Sequence, residues 1–209
     1  MDKGAIFLFW LSLFLNSSIA AAQVEKTSPL VDPKTRPMGV NLFHSEEIRK
    51  KSLNVLIFIS PDCPQVERYA ETMRRLQVEF GSRSFAWFLV LPDRKHKRKD
   101  IVRYLNRFRL ERFTIIQDPD FLLTRQFAVL RYPECVLISQ KGELLYQGSI
   151  DDRLQFSGKW NRTAQREYLK EAMLAVLFQK MEYDKKTDAQ GCLIPVSDQS
   201  VESKPDPNE

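Results

Sequence analysis

Only 7 glycines, 3 cysteines and 2 histidines occur among these 209 residues, and each scarcity excludes something. The glycines form no cluster of the kind that cradles phosphates, so nucleotide binding has no support. Two histidines, His44 and His96, argue against a metal site. No stretch reaches the roughly 20 apolar residues of a membrane-spanning helix, and no segment repeats. The reading is therefore of a chain with no cofactor, no metal and no transmembrane segment after processing.

The apolar run Ala5 to Leu15 follows Lys3 and precedes Ala20-Ala21-Ala22. That pattern predicts a signal peptide over residues 1–22 and an exported protein, periplasmic or extracellular. About 185 residues remain, enough for one domain with a real core. Net charge is +5, much of it in Arg94-Lys95-His96-Lys97-Arg98-Lys99 and on through Arg103, Arg107, Arg109 and Arg112. Export makes nucleic acid an improbable partner. The run reads as a solvated helix face, with an acidic docking partner as the sharper alternative.

Export also gives weight to Cys63, Cys135 and Cys192, because disulfides persist outside the cytoplasm. Three cysteines allow one bridge and one free thiol, and spacing does not choose the pair. Cys63 follows the strand-like run Leu53–Ile59 and precedes a helical pattern that opens with Pro64. Unsatisfied N–H groups and the helix dipole favour a thiolate there. Asp62 is read as the helix cap. The competing reading is a buried structural cysteine.

Residues 23–37 read as an extended lead-in, followed by a short helix capped by Ser45. Apolar spacing from Val66 to Phe80 predicts a core-facing helix, and Phe85–Leu91 a second buried strand. Ile101, Tyr104, Leu105 and Phe108 mark an amphipathic helix. Phe113–Gln117 is a third strand, a short helix follows Asp118, and Cys135–Ser139 and Leu144–Gln147 flank a turn at Lys141-Gly142. A last helix is expected from Thr163 to Lys180, burying Leu169, Ala172, Met173, Val176 and Leu177. From residue 183 to 209 the composition is that of a flexible tail, apart from the apolar stretch at Cys192. Alternating strands and helices ending in a hairpin give an α/β fold, a mixed central sheet with an antiparallel hairpin edge.

Four landmarks in order, Asp62-Cys63-Pro64, Pro133-Glu134, Gly148-Ser149-Ile150-Asp151-Asp152-Arg153 and Gly191-Cys192-Leu193-Ile194, resemble exported thioredoxin-like proteins of the redoxin type. The resemblance covers residues 38–194 and implies a thioredoxin-like three-layer sandwich over residues 38–182. It implies that Pro133 is a cis-proline facing Cys63. Strand directions then put Cys63, Pro133 and Asp151-Asp152-Arg153 at one sheet edge, where Arg153 would steady the Cys63 thiolate, meet an acidic substrate group or anchor a turn by a salt bridge.

Departures from the family narrow the chemistry. Val66 stands where ordinary thioredoxins carry their second cysteine, so no dithiol lies within the motif. Leu56 stands where peroxiredoxins carry proline. The leading expectation is a thiol–disulfide oxidoreductase in which Cys63 attacks a partner protein or small disulfide and Cys192 resolves. A non-catalytic binding module with a structural Cys63–Cys192 bridge, and a peroxide reductase using Cys63 alone, are the alternatives. The pairing with Cys192 rests on export and on the apolar stretch Cys192–Val196, which gains by packing on the domain. Against it stands a free thiol that pairs with another chain. Cys135 is expected buried and inert.

Overall fold

The computed structural model describes residues 51–81, 84–179 and 182–195. The expected signal peptide, the lead-in and the Ser45-capped helix lie outside the described residues. In order, the elements are β1 (Leu53–Phe58), α1 (Pro64–Phe80), β2 (Phe85–Leu91), α2 (Arg98–Phe108), β3 (Thr114–Gln117), α3 (Leu122–Gln126), β4 (Arg131–Tyr132), β5 (Glu134–Ser139), β6 (Leu144–Gly148), α4 (Tyr168–Phe178) and β7 (Cys192–Leu193). Five strands make one sheet in the order β3-β2-β1-β5-β6, and β4 pairs with β7 in a separate two-stranded sheet.

β1 is central because all six of its residues are buried, which requires cover on both faces of the sheet. Its Ile57 is paired with Leu89 of parallel β2 on one side and with Cys135 of antiparallel β5 on the other. β6 runs antiparallel to β5. The C-terminal end of β1, the start of β5 and the C-terminal end of β6 therefore share one edge of the sheet, as the sequence led us to expect.

Pro64 sits in the first turn of α1, where a missing N–H costs nothing. The helix buries Val66, Tyr69, Ala70, Met73 and Leu76, each large aliphatic contributing about 1.5–3 kcal/mol. It stops at Gly81, whose φ of 58° suits a residue without Cβ and whose N–H donates to the Gln77 carbonyl. α4 is tied to α1 through Lys170–Glu79 (2.6 Å) and Arg75–Glu167.

Several boundaries move for identifiable reasons. α4 starts at Tyr168 rather than Thr163, because Gln165 donates to the Asp152 carboxylate and the Arg166 carbonyl accepts from Asp152 N–H, holding that segment on the β6 edge. Its buried stripe is Leu169, Ala172, Met173 and Ala175, while Leu177 is exposed. Asp62 does not cap α1; Cys63 is the N-cap residue, with no side-chain cap bond. Residues 183–191, read as the start of a tail, also lie on the domain, alongside the packing expected of the apolar stretch at Cys192, where β7 pairs with β4. The Lys185 carbonyl accepts from Gln147 N–H, and Thr187 Oγ1 meets the Tyr146 hydroxyl at 2.7 Å. A polar composition concealed this because those contacts are made mostly by backbone.

Candidate functional site: a disulfide at a helix start

Cys63 and Cys192 are joined in a disulfide, with Cα atoms 6.0 Å apart and a separation of 129 in sequence. Two structural devices bring them together. The β1–α1 turn fixes Cys63 by a bond from its N–H to the Ser60 carbonyl (3.1 Å), while Ser60 Oγ accepts from Asp62 N–H (3.2 Å). On the other side, antiparallel pairing sets Tyr132 opposite Cys192 and Arg131 opposite Leu193. Ile194 N–H donates to the Leu130 carbonyl (2.9 Å), and Arg131 Nη1 to the Gly191 carbonyl (3.0 Å).

The Tyr132–Pro133 peptide bond is cis. Tyr132 closes over the bridge, its carbonyl oxygen 3.5 Å from Cys63 Sγ. A reduced Cys63 can donate its S–H to that oxygen; the bridged sulfur has no proton to give. The Tyr132 hydroxyl donates to the Pro92 carbonyl (3.3 Å), locking β4 to the loop that leaves β2.

That loop brings charge to the site. Lys95 Nζ lies 2.5 Å from Asp62 Oδ2, and the His96 ring stands between Asp62 (3.3 Å from Nε2) and Asp93 (3.0 Å from Nδ1). The hydrogen bond from Lys95 is the largest influence holding the Asp62 carboxyl below its ordinary range, with His96 adding to it. A carboxylate next to Cys63 opposes a thiolate, and Lys95 offsets it. Residues 94–96 thus belong to the site's rim, and the helix face read over the whole basic run begins at Arg98. A cavity of about 700 Å³ opens beside the bridge, bordered by Asp62, Cys63, His96, Phe121, Tyr132 and Cys192 among others.

Arg153 is placed at the same end of the sheet but is committed elsewhere. Its guanidinium pairs with buried Asp151 (2.6 Å) and donates to Thr72 Oγ1, with the Trp160 ring 4.9 Å and the Tyr69 ring 5.4 Å from its centre. Of the three roles weighed for it, turn anchoring matches these contacts; none of them is to a sulfur. Cys135 is the free cysteine, fully buried in β5, and burial pushes its thiol well above the ordinary range.

The sequence reading gave Lys95 and His96 no place at the site and passed over Arg131, whereas Gly191 was among its landmarks, an isolated glycine next to a cysteine in a polar stretch. The rim residues carried no signal, since only the fold carries the β2–α2 loop to Asp62.

A sheet of this order, with a cysteine at the N-terminus of the helix after its central strand and a cis-proline before β5, defines a thioredoxin-like α/β protein. No protein-family model matches the chain, and no curated protein matches it in sequence. Among solved structures it is similar to a hypothetical protein from Sinorhizobium meliloti 1021, with 20% identity over 74% of this chain and 85% of that one and a TM-score of 0.63. An uncharacterized conserved protein from Geobacillus kaustophilus gives 17% identity over 74% and 82%, with a TM-score of 0.63. A protein assigned as a thiol:disulfide interchange protein, DsbE, from Chlorobium tepidum gives 23% identity over 68% and 91%, with a TM-score of 0.52. These likenesses bear on the fold.

Proposed function

We propose that this chain is an exported thiol–disulfide redox protein whose working group is the Cys63–Cys192 pair. The observation that carries the reading is the bridge's position, at the start of α1, against the cis Tyr132–Pro133 bond and bordering a cavity. In the reduced state Cys63 stands at the start of α1, the positive end of the helix dipole, with its acidic neighbour Asp62 offset by Lys95. Those are the conditions that make a cysteine a nucleophile and a good leaving group. Pro133 and Tyr132 act as positioning residues, and Arg153 acts through its hold on Asp151 and Thr72. The partner is a protein dithiol or disulfide, or a small thiol. Export rests on the residue 1–22 pattern, and among the described residues no helix is long and apolar enough to cross a membrane.

The second reading, a binding module with an inert bridge, draws on the 2% exposure of Cys63. A redox titration against dithiothreitol and glutathione separates the two. A midpoint more oxidising than about −300 mV, with exchange into a protein dithiol, is the expected result. A midpoint below that value, with no exchange, assigns the bridge to stability alone.

A further inference from the structure

The two sulfurs of the bridge are not equivalent. Cys63 is 2% exposed and roofed by the Tyr132 carbonyl. Cys192 is only half-buried and borders two hollows, the 700 Å³ cavity and a second of about 300 Å³ lined by Gln65, Arg131, Phe156 and Gln190. Of these two hollows, Cys63 borders the first and not the second. An incoming thiolate therefore meets the more exposed Cys192 from either hollow, whereas Cys63 must be reached past its roof. Charge points the same way, since Arg131 is anchored to the Gly191 carbonyl immediately before Cys192.

Exchange rates depend on which sulfur is attacked and on how well the other leaves. Departure of Cys63 puts the negative charge at the N-terminus of α1, beside an acidic neighbour already paired with Lys95. Departure of Cys192 puts it on a two-residue strand with no helix dipole behind it.

We propose that the bridge opens from its Cys192 end. A partner thiolate forms a bond to Cys192 Sγ, the S–S bond to Cys63 breaks, and its electron pair leaves on Cys63 Sγ. The mixed disulfide stands on Cys192. A second thiolate of the same partner attacks the partner's own sulfur and Cys192 leaves as a thiolate. The partner departs with a disulfide, oxidised by two electrons, and the chain keeps two thiols, reduced by two. Cys192 is thus the entry sulfur and Cys63 the leaving group, the reverse of the order expected from the sequence. The polarity deepens the redox reading, although its test does not depend on it.

Sulfite reports the polarity directly, because it adds to the attacked sulfur as an S-sulfonate and frees the other as a thiol. Oxidised native protein is treated with sulfite without added oxidant, the freed thiol is blocked with a maleimide, and the peptides are mapped. The expected product carries S-sulfonate on Cys192 in at least about tenfold excess over Cys63, and the excess disappears in denaturant, where both sulfurs are open. S-sulfonate on Cys63, an even split in the native protein, or no native reaction at all overturns the proposal. Addition at Cys192 by a protein that exchanges with no dithiol keeps the polarity and removes the redox function.

Discussion

Replacing Gly191 with alanine tests how β7 holds the bridge. Gly191 has φ +144°, and a Cβ there would overlap the Tyr132 carbonyl oxygen. That oxygen belongs to backbone next to Pro133, so β7 must lift away. A residue with a Cβ in this region is strained by about 1–3 kcal/mol. Loosening the Ile194–Leu130 and Arg131–Gly191 hydrogen bonds adds about 1 kcal/mol between them. The expected loss, about 2–4 kcal/mol, stays below the bridge's own contribution, which loop closure over 129 positions puts at about 5 kcal/mol. The bridge forces β7 to stay in the oxidised form, while reduction lets it leave, so the loss falls on the oxidised form. For a two-electron couple the midpoint then rises by about 45–85 mV. Denaturant melts of both redox forms and equilibration with glutathione measure the two quantities. Equal destabilisation of both forms, or an unmoved midpoint, refutes the argument.

Two further outcomes follow from buried groups. Buried Asp118 accepts bonds from the N–H groups of Leu122 (2.7 Å), Leu123 (3.2 Å) and Thr124 (2.9 Å) and from the Thr124 hydroxyl (2.7 Å). Asp118→Ala is expected to lower the stability read in denaturant melts by about 2–4 kcal/mol, with Asp118→Asn recovering part; a loss under about 1 kcal/mol is inconsistent with these four bonds holding the start of α3. Cys135 has its thiol pushed up by burial, so the native state keeps its proton where the unfolded chain loses it, near 9.0. The group's contribution is complete below that pH and declines above it, by up to about 1.4 kcal/mol per pH unit. Denaturation midpoints between pH 9 and 10 are expected to fall more steeply in the native sequence than in Cys135→Ala, and parallel slopes would sink the idea.

Most of the fold was legible because its signals are local. Leu53–Phe58, apolar except for Asn54, and Phe85–Leu91, apolar throughout, are runs of strand length, and Pro64 and Gly81 punctuate α1 with residues whose backbone chemistry dictates the role. The bridge was legible in part, since Gly191-Cys192 stood out of a polar stretch. What escaped depends on contacts between distant segments. Asp62 reads as a cap from its place before a helix, yet its oxygens are taken by Lys95 and His96 across a loop. Tyr132 and Cys192 each look like an isolated residue until two-residue strands pair them. Backbone pairing of that length has no periodicity to detect.

The position of Cys135 has a bearing on biosynthesis. A chain made from its amino end displays Cys63 and Cys135 long before Cys192 exists, and an oxidising compartment can link the two early thiols. β5 prevents it by the register that sets Cys135 opposite Ile57 and removes it from solvent. In the folded chain the sheet keeps the competing thiol out of reach while β7 holds Cys192 against Cys63. Slowed docking of β5 would yield protein that is fully oxidised, wrongly linked and unable to form its central strand pair.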